Sequence, residues 1–92
     1  MGKYFVSVEL AGDPEWQIYP SVDALLGGKG FLRQVTASEG TVCTLPAMLY
    51  AGESPLPSET LAQQISTWIR SSLWPDTVVF VIEAGEWGVQ YP

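Results

Sequence analysis

The chain has 92 residues, of which 47% are hydrophobic and 12% aromatic, with ten acids against four bases and a net charge of −6. That length allows one core and no second domain, so residues 1–92 are read as a single unit; the composition is too apolar for disorder and too interrupted for a membrane span. The acidity excludes loose, sequence-independent binding to nucleic acid, which depends on Lys and Arg displacing counterions.

Tyr4 to Leu10, YFVSVEL, alternates. Tyr4, Val6, Val8 and Leu10 share one face, with Phe5, Ser7 and Glu9 on the other, which predicts a half-buried strand. The first ten residues lack a long apolar run and a small-residue cleavage site, so no secretory signal is expected and the expected location is the cytoplasm. Gly12, Asp13 and Pro14 form a turn, with Asp13 available as a cap. Ile18, Val22, Leu25 and Leu26 recur at helical spacing. Pro20 means that this helix starts near residue 20 or kinks there, and Gly27-Gly28 is expected to end it.

Phe31 to Ala37 and Thr41 to Tyr50 read as two strands of a hairpin around Ser38 to Gly40, with Pro46 at an unpaired position or a bulge. Ala51 to Pro57, with a glycine and two prolines, reads as a loop. Ser58 is the expected N-cap of a helix with Glu59 in its first turn, and Leu61, Ile65, Trp68, Ile69 and Leu73 form its apolar stripe. Trp74-Pro75-Asp76 breaks it, and Val78 to Glu83 is a strand apolar on both faces. The tail after it, AGEWGVQYP, is too apolar to idle and either folds back on its own sheet or adds to a neighbour's as an extra strand.

The order strand, helix, strand, strand, helix, strand predicts an α+β, ferredoxin-like βαββαβ fold. Its four-stranded antiparallel sheet would carry two helices on one face and leave the other bare. A bare face bearing Phe5, in so small a domain, predicts a homodimer. Among the tryptophans, Trp68 belongs to the core, whereas Trp16, Trp74 and Trp87 suit an interface. The lone Cys43 reads as a small strand residue rather than a nucleophile, and with no His in the chain no zinc or iron site is implied.

YFVSVEL, Gly30-Phe31 with Arg33 after it, Gly40, Leu45-Pro46, Tyr50, the Ser58 helix and the closing VVFVIEAGEW together resemble the GhoS family of small antitoxin-like proteins, over nearly the whole chain. Pro20 departs from that pattern. The resemblance implies a ferredoxin-like fold similar to the small CRISPR-associated adaptation nuclease. It also implies a toxin–antitoxin role, as a sequence-selective endoribonuclease cutting the messenger RNA of a membrane-acting toxin. Without His, the base for such a cut would be a carboxylate, with Glu9 and Asp13 the candidates. Arg33 would clamp the phosphate, with Lys29 as a second RNA contact. No cofactor is implied, although a hard ion such as magnesium would suit the two carboxylates.

The residues also admit structural roles. Glu9 and Arg33 could pair across the sheet, Asp13 is a turn residue, and Lys29 between glycines is simply exposed. The alternative function is therefore a non-catalytic acidic interaction module, of antitoxin, immunity or phage-inhibitor type, engaging a protein partner through the open sheet face rather than a membrane.

Overall fold

A computed structural model describes residues 1–92. β1 (Gly2–Leu10) lies at the centre of a three-stranded antiparallel sheet, between β4 (Leu49–Ser54) and β5 (Thr77–Glu83). Its alternation is the one the sequence predicts: Tyr4, Val6 and Val8 are buried on the helix side. They meet Val22 and Leu26 of α1 (Ile18–Gly28) and Leu61, Ile65 and Ile69 of α2 (Ser58–Ser72), with Phe31 and Tyr50 completing the cluster. Thirteen of the 92 residues are buried, so each core side chain, worth about 1.5–3 kcal/mol on burial, is a large share of a small total.

The two helices lie where the periodicity puts them, but their ends differ from expectation. α1 begins two residues before Pro20 and is not interrupted, because a proline in the first turn lacks an N–H that has no intrahelical partner anyway. Asp13 does not cap it; Gln17 occupies the cap position and turns from Ile18 N–H to Glu15 and Tyr19 N–H to Trp16 lead the chain in. Gly27 and Gly28 are its last helical residues rather than its stop. The chain turns at Gly30, whose φ is +89°. There Gly30 N–H donates to Gly27 (3.1 Å) and Phe31 N–H to Leu26 (2.9 Å), with Phe31 and Leu26 both in the core, which is a Schellman ending. At α2, Ser58 is the first helical residue and the extended Pro57 precedes it; no side chain caps that end.

The middle of the chain corrects the four-stranded sheet. β2 (Gln34–Thr36) and β3 (Val42–Thr44) do form a hairpin, but as a separate two-stranded sheet pairing Val35 with Cys43. The strand expected to run from Thr41 to Tyr50 ends at Thr44. Pro46 follows, Met48 adopts φ +62°, and Leu49 N–H turns back to the Pro46 carbonyl at 3.1 Å. The expected loop from Ala51 is strand β4. Its glycine serves packing rather than turning: a Cβ on Gly52 would lie 2.5 Å from the Phe31 ring and 2.7 Å from the Gly30 carbonyl. What remains of a fourth strand is one antiparallel bridge, Leu32 with Ala51, with bonds of 2.9 and 2.8 Å.

The sheet face away from the helices is open at β5 and partly covered elsewhere. Ala84 N–H extends the β1–β5 pairing to Lys3, after which the chain folds back on its own domain. Trp87 packs edge-on against Phe5, and the Tyr91 hydroxyl donates to the Thr44 carbonyl at 2.8 Å.

Candidate functional site

Two surfaces carry the side chains of interest: an arginine-centred network on the β4 side, and the open face on the β5 side. In the network, Arg33 follows the Leu32 bridge, which holds it beside the start of β4. Its Nε donates to the Leu49 carbonyl at 3.1 Å and its Nη2 to the Leu45 carbonyl at 2.5 Å. The third nitrogen, Nη1, lies 4.0 Å from Asp23 on α1, the chain's one ion pair. The guanidinium also stands 5.9 Å from the Tyr50 ring centre. The partner acid is therefore Asp23 and not Glu9.

Tyr50 completes this network by donating its hydroxyl to Asp23, with Met48 Sδ 3.7 Å away. Burial pushes the phenol well above its ordinary range; the hydrogen bond to Asp23 and the Asp23 charge push the same way, while Arg33 opposes them. The arrangement stitches helix α1, strand β4 and the loop after β3 together through one phenol, one carboxylate and one guanidinium. Chemically, it holds a neutral phenol beside an ionised pair whose arginine has two donors committed to backbone carbonyls.

The sequence singles out neither Asp23 nor Tyr50 for such a role. Asp23 sits next to buried Val22 on a short helix, and only the packing of α1 against β4 reveals its partner. The other sequence candidates are scattered. Glu9 is exposed on the open face opposite Val78, Asp13 is exposed in the loop after β1, and neither makes a hydrogen bond or ion pair. Lys29 caps α1 and rests its ammonium 4.8 Å from the Trp68 ring centre. Trp68 itself is only partly buried, at the margin of the core. No three His, Cys, Asp or Glu side chains gather as a metal-binding group.

The open face is apolar. Val78, Phe80 and Ile82 alternate along β5 and are 52%, 63% and 52% exposed. Ile82 lies opposite Phe5, and Phe80 opposite Ser7, in the β1 register. Beside this row, Trp87 and Phe5 border a cleft of about 560 Å³ whose other walls include Val35, Thr36, Ala51 and Glu53. A second hollow of about 470 Å³ lies beyond Trp87, against Cys43 and the carboxylates Glu39 and Glu86. Trp87 is half-buried where it packs against Phe5. Trp74, also half-buried, donates its indole N–H to the Ala11 carbonyl at 2.8 Å and ties the end of α2 to the loop after β1.

No helix is long and apolar enough to cross a membrane. No protein-family model matches this chain, and neither a curated protein nor a solved structure matches it.

Proposed function

We propose that this chain is a small acidic interaction module that engages a protein partner through its open sheet face. The observation that carries the reading is the row Val78, Phe80 and Ile82, each more than half exposed on one strand beside Phe5 and Trp87. A contiguous apolar strip of this kind on a small soluble-sized domain is an interaction surface by physical default, because leaving it in water costs free energy. The rim supplies the polarity: Glu9 lies opposite Val78 at one end of the strip, and with a net charge of −6 it favours a partner whose apolar patch has a basic border. The lone thiol of Cys43 suits a reducing, cytoplasmic setting.

The test compares proteins captured by the wild-type chain with those captured by a Phe80→Glu variant shown to be folded by circular dichroism. A defined partner with a basic surface, held by the wild type and lost by the variant, is the expected result. Identical capture by both would end this reading of the face.

The strand order β4-β1-β5, with the Leu32–Ala51 bridge where a fourth strand would join, supports a ferredoxin-like arrangement and with it a second reading, the GhoS-like antitoxin that cuts a toxin messenger RNA. In that reading Glu9 and Asp13, both unengaged, supply the base and the acid or hold magnesium, and Lys29 contacts RNA. Arg33 is the weak point, since two of its three nitrogens already serve carbonyl oxygens. Incubating the protein with bacterial RNA, with and without magnesium, tests it: discrete cuts lost in Glu9→Gln or Asp13→Asn are expected if it holds, and intact RNA rejects it.

A further inference from the structure

β5 is the last strand of its sheet, paired with β1 on one side alone. The bonds Ala11 N–H to Asp76 and Ala84 N–H to Lys3 fix which β5 residues turn their backbone toward β1. In an antiparallel ladder this alternates, so residues 78, 80 and 82 face β1 and residues 77, 79, 81 and 83 face outward. One of the outward carbonyls is already closed: Arg70 of α2 donates to Thr77 through Nε at 3.1 Å and Nη2 at 2.7 Å. The residues with both backbone groups free are therefore Val79, Val81 and Glu83, symmetric about Val81. The tail leaves this edge clear, since after Ala84 it crosses toward Phe5 and Thr44.

We infer that this edge pairs with the same edge of a second copy, antiparallel, with Val81 opposite its own mate. The register follows from the groups available. Val81 exchanges both its bonds with the partner's Val81, and Val79 exchanges both with the partner's Glu83, which uses the N–H and C=O of all three residues and requires nothing of the Thr77 carbonyl. A register centred on Phe80 would instead set Glu83 against Thr77, whose carbonyl Arg70 already holds.

The side chains agree with the backbone. On the open face, Phe80 falls opposite the partner's Ile82 and the reverse, joining the two exposed rows into one. On the helix face each Glu83 sits opposite a valine, so no like charges meet. By strand alternation it also lies one diagonal step from Thr77, on the side from which Arg70 reaches, which brings opposite charges together at both ends of the seam. An exposed apolar edge of this kind is otherwise a template for uncontrolled pairing. This inference stands apart from the partner reading, because the open face of the joined sheet still looks outward.

Sedimentation over a dilution series is the first test, with a mass of twice the 10.0 kDa chain expected at the concentrated end. Val81→Pro removes an N–H that bonds nothing inside the chain and is expected to give a folded monomer. The register is read independently by mild oxidation of Val81→Cys and Val79→Cys, both in a Cys43→Ser background. The paired Val81 Cα atoms should lie about 5.5 Å apart, within disulfide reach, while the two Val79 positions should be separated by about 14 Å. Linked dimer from Val81→Cys and little from Val79→Cys is the expected outcome. A one-chain mass at every concentration, a Val81→Pro protein that stays dimeric, or equal linking at the two positions would each overturn the inference.

Discussion

Arg70 closes on the carbonyl of Thr77 with two donors, at 3.1 and 2.7 Å, at the first residue of the last strand. Across the sheet Arg33 donates its Nε to the carbonyl of Leu49, the first residue of β4, and its second donor to Leu45. Two of the four cations in the chain are thus engaged in closing strand-edge carbonyls, the task that water performs at most exposed edges. Charged donors make such bonds worth about 1.5–3 kcal/mol. Arg70→Ala should therefore lower the unfolding free energy by about 2 kcal/mol, read as a reduced urea midpoint; an unchanged midpoint would show that water replaces the guanidinium at no cost.

Arg33 offers a sharper comparison, because its two roles predict different variants. If it holds Leu45 and Leu49 as described, Arg33→Met loses about 2 kcal/mol of stability and Arg33→Lys recovers little, since an ammonium cannot span two carbonyls from one planar fork. A residue reserved for phosphate would leave the urea midpoint of either variant near that of the wild type.

Tyr50 sets an alkaline limit. In the unfolded chain its phenol ionises near pH 10, whereas in the folded protein burial and Asp23 hold it neutral to higher pH. Below pH 10 the phenol is neutral in both states and its contribution to stability is constant. As pH rises above that value the unfolded state loses its proton first, and the contribution falls. Tyr50→Phe should be less stable at neutral pH by about 1 kcal/mol through loss of the Asp23 bond, and should show a shallower decline above pH 10. Parallel stability–pH curves for the two proteins would contradict this account.

Gly52 predicts a large effect from one methyl group. The Gly30 carbonyl and the Phe31 ring both occupy the space a Cβ would need, so Gly52→Ala should cost about 1–3 kcal/mol as overpacking. Shortening the ring with Phe31→Leu should recover part of that loss, so the double variant should be more stable than the two single changes predict by addition. Strict additivity in thermal unfolding would mean that the backbone contact alone carries the strain.

Much of this architecture was legible from periodicity. The alternation of Tyr4, Val6 and Val8, and the spacing of Leu61, Ile65 and Ile69, identify two elements and their buried faces without help from tertiary structure. What failed to read was punctuation. Gly52 looks like a loop residue because glycine is the usual sign of one, and only the approach of Phe31, distant in sequence, reveals a strand. Pro46 reads as a bulge within a strand, whereas together with Met48 it ends one pairing and begins another. Gly27-Gly28 precede the glycine that actually takes the left-handed turn. For the site, Arg33 stands out as a scarce cation, but its partners are two backbone carbonyls and Asp23. Backbone acceptors are identical at every residue, so no sequence pattern announces which ones an arginine will reach.

The position of β1 has a consequence for synthesis. It leaves the ribosome before both of its neighbours, residues 49–54 on one side and 77–83 on the other. Until the second of these emerges, one edge of the central strand stays bare, and its alternating apolar residues depend on helix α2 for cover. Closing such distant pairs is slow relative to local structure. The nascent chain therefore passes through most of its length with an unfinished core, a period in which a chaperone has more to hold than the finished protein would offer.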